Sequence, residues 1–246
     1  MSVAIVTGGS RGIGAATCEL LAAAGHDVVV GYQRKAARAD EVVRACLMHG
    51  VRAIAVAGDV STDEGVAALF AAADDLGALG VLVNNVGIVD VAQRVDEMST
   101  ERVRRMFEVN VLSAFMCARE ASRRMARSHG GAGGAIVNVG SVAASVGSPN
   151  NYVDYAASKA AIDTLTLGLA KELAADGVRV NCVRPGITDT EIHASGGQPD
   201  RAERLAGQIP MQRAGEPVEI ARAIVWLCSD EASYVTGAIL DVSGGR

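Results

Sequence analysis

The stretch Thr7-Gly8-Gly9-Ser10-Arg11-Gly12-Ile13-Gly14 follows a short apolar run and precedes an alanine-rich segment, so it reads as a turn from a strand into a helix. In such a turn Gly8 permits a tight reversal, Gly12 lets the backbone approach a pyrophosphate, and Gly14 allows close helix–strand packing. The helix N-terminus would offer free N–H groups to phosphate oxygens. We therefore predict a dinucleotide site here, with a merely tight connection as the alternative.

Short apolar runs alternate with longer alanine-rich segments along the rest of the chain. Strands are predicted at 3–7, 27–32, 52–57, 80–84, 135–140, 178–184 and 238–242, and helices near 12–25, 35–49, 63–76, 99–128, 152–176 and 217–228. Strands that are apolar throughout suit a parallel sheet covered on both faces. Strand–helix repeats with right-handed crossovers predict an α/β fold, a doubly wound Rossmann three-layer sandwich with a seven-stranded parallel sheet, in one domain over 1–246.

Local signals mark helix starts and one unusual loop. Asp63 and Ser99 stand where helix N-caps are expected, and Pro217 suits a first helical turn. Residues 186–216 are glycine-dotted and lack a clear period, and they follow the sixth strand at the sheet edge where such folds bind ligands. A loop that long is usually functional or disordered. We predict a substrate loop over about 187–214, with a merely mobile excursion as the alternative.

Composition argues against several classes of protein. A formal charge of −5 lacks the basic footprint of a duplex-binding protein, so nucleic acid is not an expected partner. The 4 histidines never pair with a second ligand at helical spacing, so no metal site is predicted. The 5 cysteines form no Cys-x-x-Cys pair, which favours reduced thiols in the cytoplasm. The N-terminus reads as a strand rather than a leader, and no apolar run reaches the ~20 residues of a membrane helix.

The end of the second strand bears on which dinucleotide is bound. NAD sites commonly place Asp or Glu there to bind the ribose 2′-hydroxyl, but this chain reads Tyr32-Gln33-Arg34, without a carboxylate. Arg11 in the glycine turn and Arg34 after the strand are both suited to a 2′-phosphate, because guanidinium groups bind phosphate bidentately. We therefore predict NADP(H), with NAD(H) as the alternative. If the two arginines are only solvated surface residues, they do not bear on this choice.

Tyr155 and Lys159 are placed at i and i+4 in a predicted helix, so both side chains point to one face. A free phenol has a pKa near ~10, too high for a base in neutral water. An adjacent ammonium, helped by the positive charge of a cofactor, would stabilise the phenolate, and a pKa of about 7 requires on the order of 4 kcal/mol. The pair predicts an acid–base site, with two surface residues on a helix as the alternative.

With this pair, the glycine turn and Ser141, the chain closely resembles the short-chain dehydrogenase/reductase family in its single-domain form, nearly end to end. Further family landmarks are Asp59-Val60, Asn84-Asn85-Val86-Gly87, Asn110, Pro185-Gly186, Tyr234-Val235-Thr236-Gly237 and Gly244-Gly245. One departure is Val86, where the family usually has alanine. The order of the landmarks makes the resemblance specific.

The resemblance implies a role for each matching residue. Tyr155 would exchange a proton with the substrate oxygen, Lys159 would lower the Tyr155 pKa and bind the nicotinamide ribose, and Ser141 would hold the substrate oxygen. Asn110 would position a water between Lys159 and solvent. Cofactor contacts are expected from Gly8, Ser10, Arg11, Gly12, Ile13, Gly14, Tyr32, Arg34, Asp59, Val60, Asn85, Gly87, Tyr155, Lys159, Pro185, Gly186, Thr188 and Thr190.

The resemblance implies a small-molecule carbonyl or alcohol substrate and leaves its class open. The chain looks most like 3-oxoacyl-(acyl-carrier-protein) reductases and sugar or polyol dehydrogenases related to glucose 1-dehydrogenase. A basic patch of Arg123, Arg124 and Arg127 would attract an acidic carrier protein, or is only a solvated helix face. A non-catalytic NADP(H)-binding redox sensor is the alternative of a different class. By resemblance, the helices near 99–128 and 152–176 would pair between subunits in a homodimer or homotetramer.

Overall fold

The computed structural model describes residues 2–246 and contains a 7-stranded, all-parallel sheet in the order β3-β2-β1-β4-β5-β6-β7. The strands are β1 Val3–Val6, β2 Asp27–Tyr32, β3 Ala53–Ala57, β4 Leu79–Asn84, β5 Gly134–Val139, β6 Val178–Pro185 and β7 Ile239–Val242. The sequence-based prediction of a doubly wound parallel sheet is confirmed. Each predicted strand is present, with ends that differ by one residue at most.

Helices cover both faces of the sheet. Their bounds are α1 Gly12–Ala23, α2 Ala36–Leu47, α3 Asp63–Leu76, α4 Thr100–Phe107, α5 Ser113–Met125, α6 Ala143–Val146, α7 Val153–Leu173, α8 Ile192–Ser195, α9 Arg201–Leu205 and α10 Pro217–Cys228. Short 3-10 turns lie at Val95–Glu97, Arg127–His129, Ala206–Gln208 and Asp230–Ala232. None of the helices in the described part of the chain is both long and apolar enough to cross a bilayer.

The core forms because successive strand residues face opposite sides of the sheet. In β1, Val6 packs into a cluster that α1, α2 and α10 close, whereas Ile5 packs into a second cluster with α3, α5 and α7. Both side chains are fully buried. This two-sided burial explains why the strands are apolar throughout and not alternating.

Two local expectations are corrected by the structure. The segment 99–128 is not one continuous helix, because the π-helical turn Glu108–Leu112 separates α4 from α5. Its apolar pattern runs on through the insertion, so the sequence offers no break. Asp63 does not cap α3, since the Thr62 hydroxyl accepts from Gly65 N at 3.1 Å. The Ser99 cap is confirmed by its bond from Arg102 N at 3.2 Å.

The strand order reverses at β1, whose neighbours are β2 on one side and β4 on the other. Loops that leave the carboxyl ends of these strands diverge and leave a crevice, the usual ligand position of such folds. The segment that follows β6 folds over this crevice. Its ends are joined by the bridge between Thr188 and Gly215, and it contains the short helices α8 and α9.

Candidate active site

A large cavity of about 880 Å³ lies at the carboxyl edge of the sheet. It is lined by most of the residues that the sequence analysis selected: Gly8, Ser10, Arg11, Gly12, Ile13, Tyr32, Arg34, Asp59, Val60, Asn85, Gly87, Ser141, Tyr155, Lys159, Pro185, Gly186, Thr188 and Thr190. Gly14 and Asn110 are not in the cavity wall and act behind it. One cleft therefore holds both the predicted dinucleotide residues and the predicted acid–base residues.

The glycine turn is shaped by close packing. Gly8 has a φ of +65°, a conformation that side chains disfavour. Gly14 packs so closely that a Cβ there would collide with the Gly8 carbonyl and the Asn85 amide nitrogen. That amide donates to the Thr7 carbonyl oxygen at 2.9 Å and to the Gly8 carbonyl oxygen at 3.1 Å. Asn85 therefore holds the turn in place from the end of β4, a positioning role behind the expected cofactor contact.

The substrate loop reaches back to the same turn. A Cβ at Gly12, whose φ is +53°, would lie 3.3 Å from Thr190 Cγ2. Asp59, at the end of β3, accepts from Ser61 N at 2.9 Å and from Gln33 Nε2 at 2.5 Å. The glycine turn, the substrate loop and the loop after β3 therefore all border the cleft.

The mouth of the cleft carries a cluster of charges that the sequence analysis found only in part. The Glu191 carboxylate of the substrate loop accepts from Arg11 Nη1 at 3.0 Å and from Lys35 Nζ at 2.6 Å. Arg38 lies 3.9 Å from its other oxygen. The hydrogen bonds from Lys35 and Arg11 lower the pKa of Glu191 to about 2. Lys35 and Glu191 were not predicted, because their pairing depends on the path of a loop that separates them widely in sequence.

The acid–base pair lies at the base of the cleft. Lys159 is 3% exposed, and its Nζ donates to the Val139 carbonyl oxygen at 2.8 Å and lies 5.8 Å from the centroid of the Tyr155 ring. Tyr155 keeps part of its surface open to the cavity, which Ser141 also lines. The predicted common face of the two side chains is therefore present, with the phenol reaching the cavity and the ammonium buried behind it.

The pKa values at the base are dominated by burial. Burial raises the pKa of the Tyr155 phenol, and the Ser141 hydroxyl opposes this increase. Burial also lowers the pKa of Lys159 to about 8, partly offset by the neighbouring Cys182 and Asp163 side chains. The expectation that Lys159, with the positive charge of a bound cofactor, lowers the Tyr155 pKa stays a prediction. Lys159 Nζ donates to the Val139 carbonyl oxygen.

Asn110 is held by the π-helical turn, and such turns occur frequently at functional sites. Its Oδ1 accepts from Ile88 N at 2.7 Å and its Nδ2 donates to the Ile88 carbonyl oxygen at 3.0 Å. Gly87 lies between Asn110 and the lysine, since an added Cβ would be 3.7 Å from Asn110 Oδ1 and 3.2 Å from Lys159 Nζ. Asn110 therefore joins the loop after β4 to the back of the lysine.

A buried carboxylate on α7 was missed. Asp163 follows Lys159 by one further helical turn and is bound by Arg184, whose Nη2 lies 2.6 Å from Asp163 Oδ2. Its negative charge raises the Lys159 pKa against the larger effect of burial. The i, i+4 spacing that identified Tyr155 and Lys159 continues to Asp163, so the signal was in the sequence.

The chain matches known proteins over its whole length. A family model described as Enoyl-(Acyl carrier protein) reductase matches residues 8–246. The chain is 53% identical to the uncharacterized oxidoreductase YgfF of Escherichia coli (strain K12), over 100% of both chains. It is 39% identical to Glucose 1-dehydrogenase 2 of Bacillus subtilis (strain 168), over 98% of this chain and 93% of the relative. A short chain dehydrogenase from Burkholderia cenocepacia J2315, solved in complex with NADP, superposes with a TM-score of 0.90 at 34% identity, covering 99% of this chain and 97% of that one.

Proposed function

The chain belongs to the short-chain dehydrogenase/reductase family of oxidoreductases, and we propose that it transfers hydride between NADP(H) and a carbonyl or secondary alcohol, with Tyr155 as the general acid–base group. The observation that carries the proposal is the convergence of Tyr155, Lys159 and Ser141 on the same cavity as the glycine turn. A bound nicotinamide supplies or accepts the hydride. The chain contributes binding, orientation and proton transfer.

Each side chain at the base has a distinct task in this proposal. The Tyr155 hydroxyl protonates the substrate oxygen during reduction and removes that proton during oxidation. The Ser141 hydroxyl orients the same oxygen, since both groups face the cavity. Lys159, buried behind Tyr155, returns a proton to the Tyr155 hydroxyl. Its pKa of about 8 is well matched to proton exchange near neutral pH. Asn110 holds the loop beside the lysine and orders the route by which water reaches it.

The mouth of the cleft supports the choice of NADP(H). Arg11 and Lys35 both bond the carboxylate of Glu191 there. A 2′-phosphate offers them the same oxygen chemistry with more charge. Arg34 also lines the cavity, as predicted, and β2 ends at Tyr32 without a carboxylate. Fluorescence titration tests this choice, and tighter binding of NADH than of NADPH would reverse it in favour of NAD(H).

Substitution of Tyr155 by phenylalanine tests the acid–base role. We expect Tyr155→Phe to lower kcat by about 10² to 10⁴ while NADPH binding stays within twofold, because only the proton donor is lost. Tyr234→Phe is the matched control, since Tyr234 is fully exposed. If the wild-type chain binds NADPH but consumes none with a panel of ketones, acyl thioesters and sugars, the non-catalytic sensor replaces the enzyme.

The structure bears on a carrier protein as partner. Arg123 is paired with Glu120 at 2.7 Å, and Arg124 is paired with Asp74 at 2.8 Å. These ion pairs neutralise two of the three positive charges of the predicted patch, which weakens the case for docking of an acidic carrier protein. A small-molecule substrate is therefore our preferred proposal over an acyl thioester.

The surface of α4 and α5 bears on how the chain assembles. Exposed apolar side chains follow α4 and α5, where Phe107, Leu112 and Phe115 are 38 to 50% exposed. This supports a homodimer or homotetramer, and light scattering that reports a monomer at micromolar concentration would contradict it.

All five cysteines are free thiols, of which four are buried. Reduced thiols support a cytoplasmic location, which cell fractionation tests.

A further inference from the structure

Arg201 opens α9 in the substrate loop and lines the same cavity as Tyr155. Its Cζ lies 5.1 Å from the centroid of the Tyr152 ring, which makes a cation–π contact. Tyr152 immediately precedes α7, and it lines the same cavity as Tyr155. The guanidinium and the acid–base group therefore line one cavity, the first on the substrate loop and the second on α7.

The guanidinium is fixed in this position by one amide. Gln198 Nε2 donates to the Tyr152 hydroxyl at 2.6 Å, and Gln198 Oε1 accepts from Arg201 Nη1 at 3.1 Å. The same oxygen accepts from Arg204 Nη2 at 2.7 Å. One edge of Arg201 is thus held against the ring and the amide, which leaves its other N–H groups for a ligand in the cavity.

The charge of Arg201 is not neutralised within the protein. Among residues 2–246, no carboxylate lies within 4.0 Å of its guanidinium, whereas the neighbouring Arg204 is paired with Asp200 at 3.5 Å. Four acidic residues line the cavity without pairing with Arg201: Asp59, Asp90, Glu108 and Glu191. A partly buried cation without a counter-ion in a substrate cavity is well placed to receive one from the ligand.

We propose that Arg201 binds a carboxylate of the substrate, so that the natural substrates are small keto acids or hydroxy acids whose carboxylate lies several bonds from the reacting carbon. The inference rests on the proposed function, because it needs the carbonyl at Tyr155. A single guanidinium matches the one negative charge of a carboxylate. A phosphate would normally recruit several cations, as the cluster of Arg11 and Lys35 at the cofactor end provides.

Matched acids and esters test this specificity directly. We expect kcat/KM with NADPH to be higher for 4-oxopentanoate and 5-oxohexanoate than for their methyl esters. Arg201→Gln should lower kcat/KM for the acids by roughly 10- to 100-fold, as loss of a hydrogen bond to a charged group implies, with less than threefold change for the esters. Arg201→Lys should restore part of the loss. Arg204→Gln is the control, since Arg204 contacts the same amide but already has Asp200.

Calorimetric binding to the NADP-loaded Tyr155→Phe variant gives a readout without turnover. The acids should bind more tightly than the esters, and addition of Arg201→Gln should abolish the difference. Equal affinity of acid and ester, or equal losses for both in Arg201→Gln, would overturn the inference by reducing Arg201 to a structural role. Failure of every ketone to react would instead contradict the proposed function, and the binding comparison would still decide the role of Arg201.

Discussion

The two ends of the cleft both depend on charged side chains, yet they hold them in different ways. Beside the base, at the start of α7 that carries the acid–base group, the paired side chains of Arg102 and Asp154 are 8% and 1% exposed. Neither side chain lines the cavity. At the mouth, the paired side chains of Arg11 and Glu191 are 39% and 41% exposed. Charges at the base are fixed by packing, whereas charges at the mouth can exchange partners with a ligand or with salt.

This difference assigns separate tasks to the two ends. Burial at the base makes each charge costly to leave unpaired. The charged side chains there are therefore held in one arrangement, which suits a catalytic role. Exposure at the mouth makes each ion pair weak, so a cofactor can displace Glu191 at small cost and serve as the new partner. Substitutions at the base should therefore alter stability and turnover strongly, and those at the mouth should alter affinity modestly.

The largest effect is expected from breaking the buried ion pair. Arg102→Met leaves the Asp154 carboxylate without its partner, whose Nε lies 2.8 Å away, and should lower the free energy of unfolding by about 3–5 kcal/mol. Urea denaturation measures the loss. Arg104→Met is the control, because its pair with Glu101 is exposed and should contribute less than ~0.5 kcal/mol. Similar losses in both variants would erase the contrast between buried and exposed pairs.

The next effect is a pH dependence of stability that belongs to Lys159. The pKa of Lys159 is about 8 in the folded chain and near 10.5 in the unfolded chain. Between these two pH values the unfolded chain therefore binds more protons than the folded chain. Below pH 8, burial of the protonated amine lowers the free energy of unfolding by a constant amount. Between pH 8 and pH 10.5 this loss shrinks, so the free energy of unfolding rises with pH. Relative to Lys159→Met, the wild-type chain should gain about 2 kcal/mol between pH 7.5 and pH 9.5.

Urea denaturation at the two pH values measures this gain. Lys171→Met is the control from the same helix, because Lys171 is exposed and its variant should keep a constant difference from the wild-type chain. A difference for Lys159→Met that does not change with pH would mean that the buried amine keeps its proton throughout.

A smaller effect is expected at the mouth. Glu191→Gln removes the carboxylate that occupies Arg11 and Lys35, and should tighten NADPH binding about 3- to 10-fold, because exposed pairs are worth up to about 1 kcal/mol. NADH should be affected less than twofold, and added salt should shrink the gain. Glu203→Gln, exposed on α9, is the control. Weaker NADPH binding would show that Glu191 supports the cofactor site instead of competing for it.

The smallest effect should come from Arg34. It lines the cavity without an ion pair in the described chain, so Arg34→Gln should weaken NADPH binding by only about two- to threefold and leave NADH unchanged. Titration of both cofactors measures the ratio. A loss larger than that of Lys35→Met would make Arg34 the main contact of the 2′-phosphate.

Sequence reasoning predicted the sheet and the base of the cleft because both follow from local periods. The apolar strands, the glycine turn and the i, i+4 pair of Tyr155 and Lys159 are each encoded within a few consecutive residues. The ionic cluster at the mouth was missed because Glu191 meets Lys35 only through the path of a long loop. The burial that raises the pKa of Tyr155 could not be predicted either, because burial depends on the whole packed structure.

The break in the segment 99–128 shows another limit. The π-helical turn adds a residue to a helix without changing the polarity pattern, and tertiary packing around Asn110 decides where it falls. Single-sequence periodicity cannot register such an insertion. By contrast, the missed Asp163 was accessible, because it lies at the next i+4 position on the same helix.

The bridge between Thr188 and Gly215 has a practical consequence. Gly215 N donates to the Ile187 carbonyl oxygen and Asp189 N donates to the Gly215 carbonyl oxygen, both at 2.9 Å, so the intervening chain departs and returns at one point. Because both ends are anchored together, the length of the chain between them can change at small entropic cost. Directed evolution of new selectivity should therefore vary its exposed positions, and should spare Thr190 beside Gly12 and the buried Ile209.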